Sequence, residues 1–113
     1  VPETTAARTL ADLAHEVRAK NAGPFWVTME VFLRDDEGYR IAADESFLDE
    51  RVIAELYRVE ASTVQIFRIP SLRVVKISFP RPVGQGSLRD RDMHAGQHHV
   101  PLARLPVTRP ERA

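Results

Sequence analysis

Two stretches of the chain hold the side chains best suited to chemistry. The first is Asp90-Arg-Asp-Met-His-Ala-Gly-Gln-His-His-Val-Pro-Leu102, where titratable and amide groups crowd a segment too poor in apolar residues to be mere core. Within it, His99 is a candidate general acid or base near neutral pH, and Gln97 is an amide able to orient a carbonyl or carboxylate. Asp92 is a second group able to orient the imidazole. The other stretch is Lys20-Asn-Ala-Gly-Pro-Phe25, which offers a cation at Lys20 and an amide at Asn21 to an anionic or carbonyl oxygen. Gly23 precedes a proline there and is free to adopt dihedrals closed to other residues.

Each feature also has a structural reading. Lys20 at the end of a helix would simply complement the helix dipole. His94 and His98 are four residues apart, so a helix would stack them as two metal ligands, with Asp90 and Asp92 as added oxygen donors. Gly96 and Pro101 argue against a continuous helix, and no thiolate is present, so solvated loop histidines are the preferred reading and no metal or other cofactor is assigned. His15 reads as a surface residue. Arg68, Lys76 and Arg81 read as a positive patch or as charged strand edges that discourage sheet pairing. The Gly84-Gln-Gly-Ser87 run lacks the strand–loop–helix setting of a phosphate cradle and reads as a connector.

Composition limits the classes of function. The chain has 113 residues, 43% of them hydrophobic, with 16 basic and 16 acidic side chains. That is one domain with a modest core and no global field favouring nucleic acid or an anionic membrane. It has no cysteine, which excludes disulfides and thiolate chemistry and fits a cytoplasmic protein. No apolar run approaches the roughly 20 residues that span a bilayer, and the opening residues lack the order of a signal peptide.

The elements that must position these residues follow from periodicity. Leu10, Leu13, Ala14 and Val17 are spaced as on a helix, with Thr9 and Asp12 as its capping box, predicting a helix over 9–20. Residues 25–33 alternate as a strand with large apolar groups on both faces, and so predict a central one. Asp35-Asp-Glu-Gly38 is a turn or helix start, followed by a weak helical pattern. A clearer helix follows, with Ser46 and Asp49 as the box and Leu48, Val52, Ile53 and Leu56 as the stripe. Residues 63–69 and 73–79 read as an antiparallel hairpin ended by Pro80 and Pro82. Residues 100–107 read as a short edge strand or an extended arm. The implied fold class is α+β: a small ferredoxin-like sandwich, its antiparallel sheet covered by helices on one face. The domain would span 9–107, with flexible segments at 1–8 and 108–113.

Arg18-Ala-Lys-Asn-Ala-Gly-Pro-Phe25, Thr28, Ile53-Ala-Glu-Leu-Tyr57, Lys76-Ile77 and the series Asp92, Gln97, His99, Pro101, Leu102 are together specific. On these marks the chain resembles the domain of unknown function 4387 family, small proteins encoded beside acyclic terpene utilisation (AtuA-type) proteins. The family pattern runs closer to Tyr-Gly-Ala-Gln-Gln-His, and His94-Ala-Gly-Gln-His-His99 departs from it at the aromatic position while keeping Gln97 and His99. The resemblance implies an AtuA-type large subunit as partner and an acyl-CoA or carboxylic acid as substrate. It also implies hydratase- or dehydratase-like proton chemistry shared across subunits. In that expectation Lys20 and His99 are catalytic, while Asn21, Gly23, Gln97 and Asp92 bind substrate. The rival expectations are a non-catalytic structural or regulatory subunit and a free-standing homo-oligomer that binds a small acid.

Overall fold

Alternation along one strand divides the molecule into two faces. Strand β2 (Trp26–Leu33) points Val27, Met29, Val31 and Leu33 into the core and Trp26, Thr28, Glu30 and Phe32 the other way. It pairs antiparallel with β1 (Ala14–Asn21) on one side and with β4 (Val74–Pro80) on the other, and β3 (Gln65–Ile69) closes the far edge of the four-stranded sheet. The structure, a computed structural model, describes residues 8–23, 25–81 and 99–107. The expected flexible segments, 1–8 and 108–113, lie outside it except for Arg8.

The register lines up the core as cross-strand rows. Ala19, Met29, Ile77 and Ile66 form one row, and Val17, Val31 and Val75 another. Four helical segments cover this face: α1 (Leu10–Leu13), α2 (Asp36–Ala42), α3 (Glu50–Tyr57) and α4 (His99–Ala103). Leu10, Leu13, Ala42, Ile53 and Leu102 from these segments join the strand residues in one buried cluster. On the opposite face no described helix packs.

An α+β architecture is therefore present, with connectivity of its own. Two β-hairpins, β1–β2 and β3–β4, are joined by the pair α2 and α3, giving strand order 1-2-4-3. A ferredoxin-like sandwich alternates β-α-β-β-α-β, and that order is not observed. The difference begins at the N-terminus, where the expected helix over 9–20 is one turn long. Thr9 caps that turn, its amide donating to Asp12 Oδ2 at 2.8 Å as the spacing predicts. From Ala14 onward the chain is a strand. Val17, Ala19 and Asn21 then face the core at period two, and pairing with the edge of β2 satisfies backbone groups that a surface helix would satisfy alone.

Elsewhere some local signals hold and two do not. Asp35 caps α2, accepting from Gly38 N at 2.7 Å, so the acidic run is a helix start. Asp49 is itself the N-cap of α3, accepting from Val52 N at 2.9 Å, whereas Ser46 hydrogen-bonds Asp44 at 2.8 Å instead of sharing a box with Asp49. The β3–β4 hairpin forms as expected, through a single 3-10 turn at Pro70–Leu72. Residues 100–107 form neither an edge strand nor a free arm. They make α4, then turn back so that Leu105 O accepts from Leu10 N at 2.9 Å and Pro106 bridges Thr9.

The cap assignment is testable by urea denaturation. Asp49→Ala should lower stability by about 1 kcal/mol, the usual cost of losing an N-cap oxygen. Ser46→Ala, on an exposed turn, should change it by less than about 0.5 kcal/mol.

Candidate functional site

The stretch at residues 20–25 becomes the turn of the β1–β2 hairpin. Ala22 N donates to Trp26 O at 2.9 Å, and Gly23 takes φ +88°, a left-handed conformation that explains the glycine there. Asn21 points to the core side, where its Oδ1 accepts from Arg81 Nη1 at 2.6 Å. Arg81 follows the end of β4 and donates its amide to Phe25 O at 2.7 Å. Its residue surface is only 6% exposed, so it is not part of a surface patch. Arg68, also expected in that patch, donates to Ala43 O and Leu48 O at 2.8 and 2.7 Å and pins the α2–α3 connection. The strand parity that buries Ile77 and Phe79 continues to Arg81, and this was the available sequence signal for its burial.

Lys20 sits on the same strand as Asn21 but on the other face. It shares a row with Thr28, Ser78 and Gln65, where the Thr28 and Ser78 hydroxyls lie 2.9 Å apart. The next row holds Arg18, Glu30, Lys76 and Phe67, with Arg18 Nε 3.2 Å from Glu30 and its guanidinium 4.9 Å over the Phe32 ring. Glu16, Phe32, Val74 and Ile69 make a third row, apolar except at Glu16, and Trp26 lies beside Pro80 at the turn end. Trp26 and Phe67 remain 36% and 48% exposed. This face, which carries no helix among the described residues, is therefore an alternation of aromatic, polar, charged and largely apolar rows.

His99 opens α4, on the helix-covered side. The anchor of α4 is Tyr57, whose hydroxyl accepts from Leu102 N at 3.1 Å and lies 3.3 Å from Met29 Sδ. The Tyr57 ring packs against Phe79 with centroids 4.9 Å apart. Leu102 N lies in the first turn of α4, and Tyr57 supplies it a hydroxyl acceptor from α3. The first turn of α4, and with it His99, is thereby fixed over the sheet. His99 lines a groove of about 330 Å³ with Ala11, Ala14, His15, Glu16, Val17, Arg34 and Ala103. Its Nδ1 is buried and has no hydrogen-bond partner among the described residues.

The two expected loci are thus not joined within one chain. The groove lies at the Ala14–Val17 end of β1, and Asn21 lies four residues further on, about 13 Å along an extended strand. Lys20 in addition projects from the opposite side of the sheet to His99. Gln97 and Asp92, together with the histidine pair His94 and His98 and the Gly84–Ser87 connector, lie outside the described residues. Among the described residues no cluster of three or more metal-ligating side chains occurs, and no helix is long and apolar enough to cross a membrane. What the groove holds is two imidazoles (His15 and His99), a guanidinium and a carboxylate around a small apolar floor. Such a set can bind a small acid and move a proton.

A small α+β protein with a one-sided helical layer is the class that these features define. Residues 10–106 match the model of the domain of unknown function family DUF4387, and the chain belongs to that family. Neither the curated proteins nor the solved structures contain a match.

The Tyr57 anchor has a pH signature. Burial pushes its phenol well above the ordinary value of 10.0, against a smaller opposing effect of the Leu102 amide. A raised value means that stability is intact below about pH 10 and is lost above it, where the unfolded chain ionises and the folded one does not. Tyr57→Phe should remove that alkaline component and cost about 1 kcal/mol at neutral pH by removing the hydroxyl partner of the Leu102 amide. Thermal melts from pH 7 to 11, with amide exchange at Leu102, check both.

Proposed function

We propose that the chain is the small subunit of a cytoplasmic hetero-oligomer. It would dock through its helix-free sheet face onto an AtuA-type large subunit, and the assembly would act on an acyl-CoA or a carboxylic acid by hydratase-like proton chemistry. One observation carries the docking half. An antiparallel sheet with an alternating strand normally leaves a polar face to water, yet here Trp26, Phe32 and Phe67 stand among Arg18, Lys20 and Lys76. Aromatic groups set among hydrogen-bonding and charged ones suit a non-obligate protein interface.

The chemical half rests on His99. Its imidazole is held by the Tyr57-anchored helix and lines an open groove, the placement a proton carrier needs. Lys20 stands on the docking face, so its part in chemistry would be played against the partner's surface, in a site completed by assembly. Asn21 and Gly23 shape the neighbouring turn, with Asn21 held by Arg81. The separation of Lys20 from His99 favours one alternative, a non-catalytic subunit whose exposed face serves only to hold the complex together.

Co-expression with the large subunit separates the readings. Phe67→Glu should abolish co-elution of the two chains while leaving the small one folded, and a complex that survives this change would remove the docking face from the proposal. His99→Gln should preserve the complex and lower turnover of unsaturated or hydroxylated acyl thioesters by about 100-fold or more. Unchanged turnover in that variant would select the non-catalytic reading.

A further inference from the structure

We infer that the groove between α1, β1 and α4 binds a small carboxylate, with Arg34 as its cation and His99 as its second hydrogen-bonding group. The inference deepens the acid-substrate reading above and rests on it for the class of ligand. Lys20, the cation that the sequence suggests, faces away from His99, whereas Arg34 lines the same groove. Arg34 immediately follows β2, and its amide donates to Leu13 O at 3.0 Å, which fixes its backbone at the mouth.

The state of the charges supports a ligand at this point. Arg18 has Glu30 and Glu16 within 4 Å, and Arg73 has Asp36 at 2.7 Å. Arg34 has no carboxylate within that distance among the described residues, although on its other side it borders a groove containing Asp12, Asp35 and Glu37. Its planar fork is therefore available for a bidentate carboxylate. Glu16, the one acid lining the His99 groove, lies 3.8 Å from Arg18, which partly compensates its charge.

The imidazole supplies the second contact. His99 lines the groove, and a ring nitrogen that carries a proton can donate to an oxygen of a bound acid. Ala14, Val17 and Ala103 offer small apolar walls for a short hydrocarbon chain. About 330 Å³ is near the lower limit of small-molecule sites, so the groove fits an acid of a few carbons and not a whole coenzyme A thioester.

The test is a titration of the full chain with crotonate, read by NMR of the ¹⁵N-labelled histidine rings, with crotonamide as the neutral counterpart. The His99 resonances should shift saturably with crotonate and not with crotonamide. Arg34→Gln should weaken that binding about tenfold or more, and Arg34→Lys by less. Absence of a saturable shift, equal binding of crotonamide, or an Arg34→Gln protein that remains folded by its amide spectrum and binds as before would each overturn the assignment. Because binding is read on this chain by itself, failure here leaves the complex and its turnover as a separate result. Conversely, crotonate binding without any complex would remove the subunit reading and keep the groove.

Discussion

The register of β2 between β1 and β4 is the constraint on which the rest of the molecule depends. A strand paired on both sides cannot slip by one residue without exchanging its two faces. Here a slip of β2 would turn Met29 and Val31 outward and bring Glu30 into the core. The same pairing decides which residues of the edge strand β1 face the helices. Val17, Ala19 and Asn21 do, and Arg18 and Lys20 therefore do not. The separation of Lys20 from His99 is thus a direct consequence of how the sheet is registered.

On the helix side, polar groups fix the positions of otherwise apolar contacts. Tyr57 links α3, the Met29–Phe79 region of the sheet and the first turn of α4. Arg68 reaches two carbonyls in the α2–α3 connection, and Arg81 ties the end of β4 to the β1–β2 turn through Asn21 and Phe25 O. Hydrophobic burial is non-directional and would allow α4 many positions over Met29 and Phe79. A hydrogen bond with two defined partners removes most of that freedom, and the lining of the His99 groove follows from it. The exposed Asp36–Arg73 pair, in which Arg73 holds the carboxyl below its ordinary value, joins α2 to the β3–β4 turn and adds little by comparison.

The two faces suit different work. The helix side supplies a small groove with an imidazole and a guanidinium, enough for a short acid and too small for a large cofactor-bound substrate. The sheet side supplies a broad mixed surface. A subunit that presents a binding groove on one layer and a docking face on the other can contribute chemistry to an assembly without enclosing a substrate alone.

Much of this was determined by the sequence through local patterns. The alternation of β2, the existence of the helix carrying Val52, Ile53 and Leu56, and the Pro70–Leu72 hairpin rest on near neighbours, and all correspond to observed structural features. Only the tertiary structure decided the rest. Leu10, Leu13, Ala14 and Val17 are spaced as on a helix, yet only Leu10–Leu13 is helical, because pairing with the edge of β2 takes the chain from Ala14 onward. Arg81 resembles a surface charge until its place on the inward parity of β4 is known. Arg34 is near His99 through packing between segments about sixty residues apart, a proximity that no local spacing encodes. Periodicity gives each side chain a direction within its own element, but the partners it meets are set by how the elements pair.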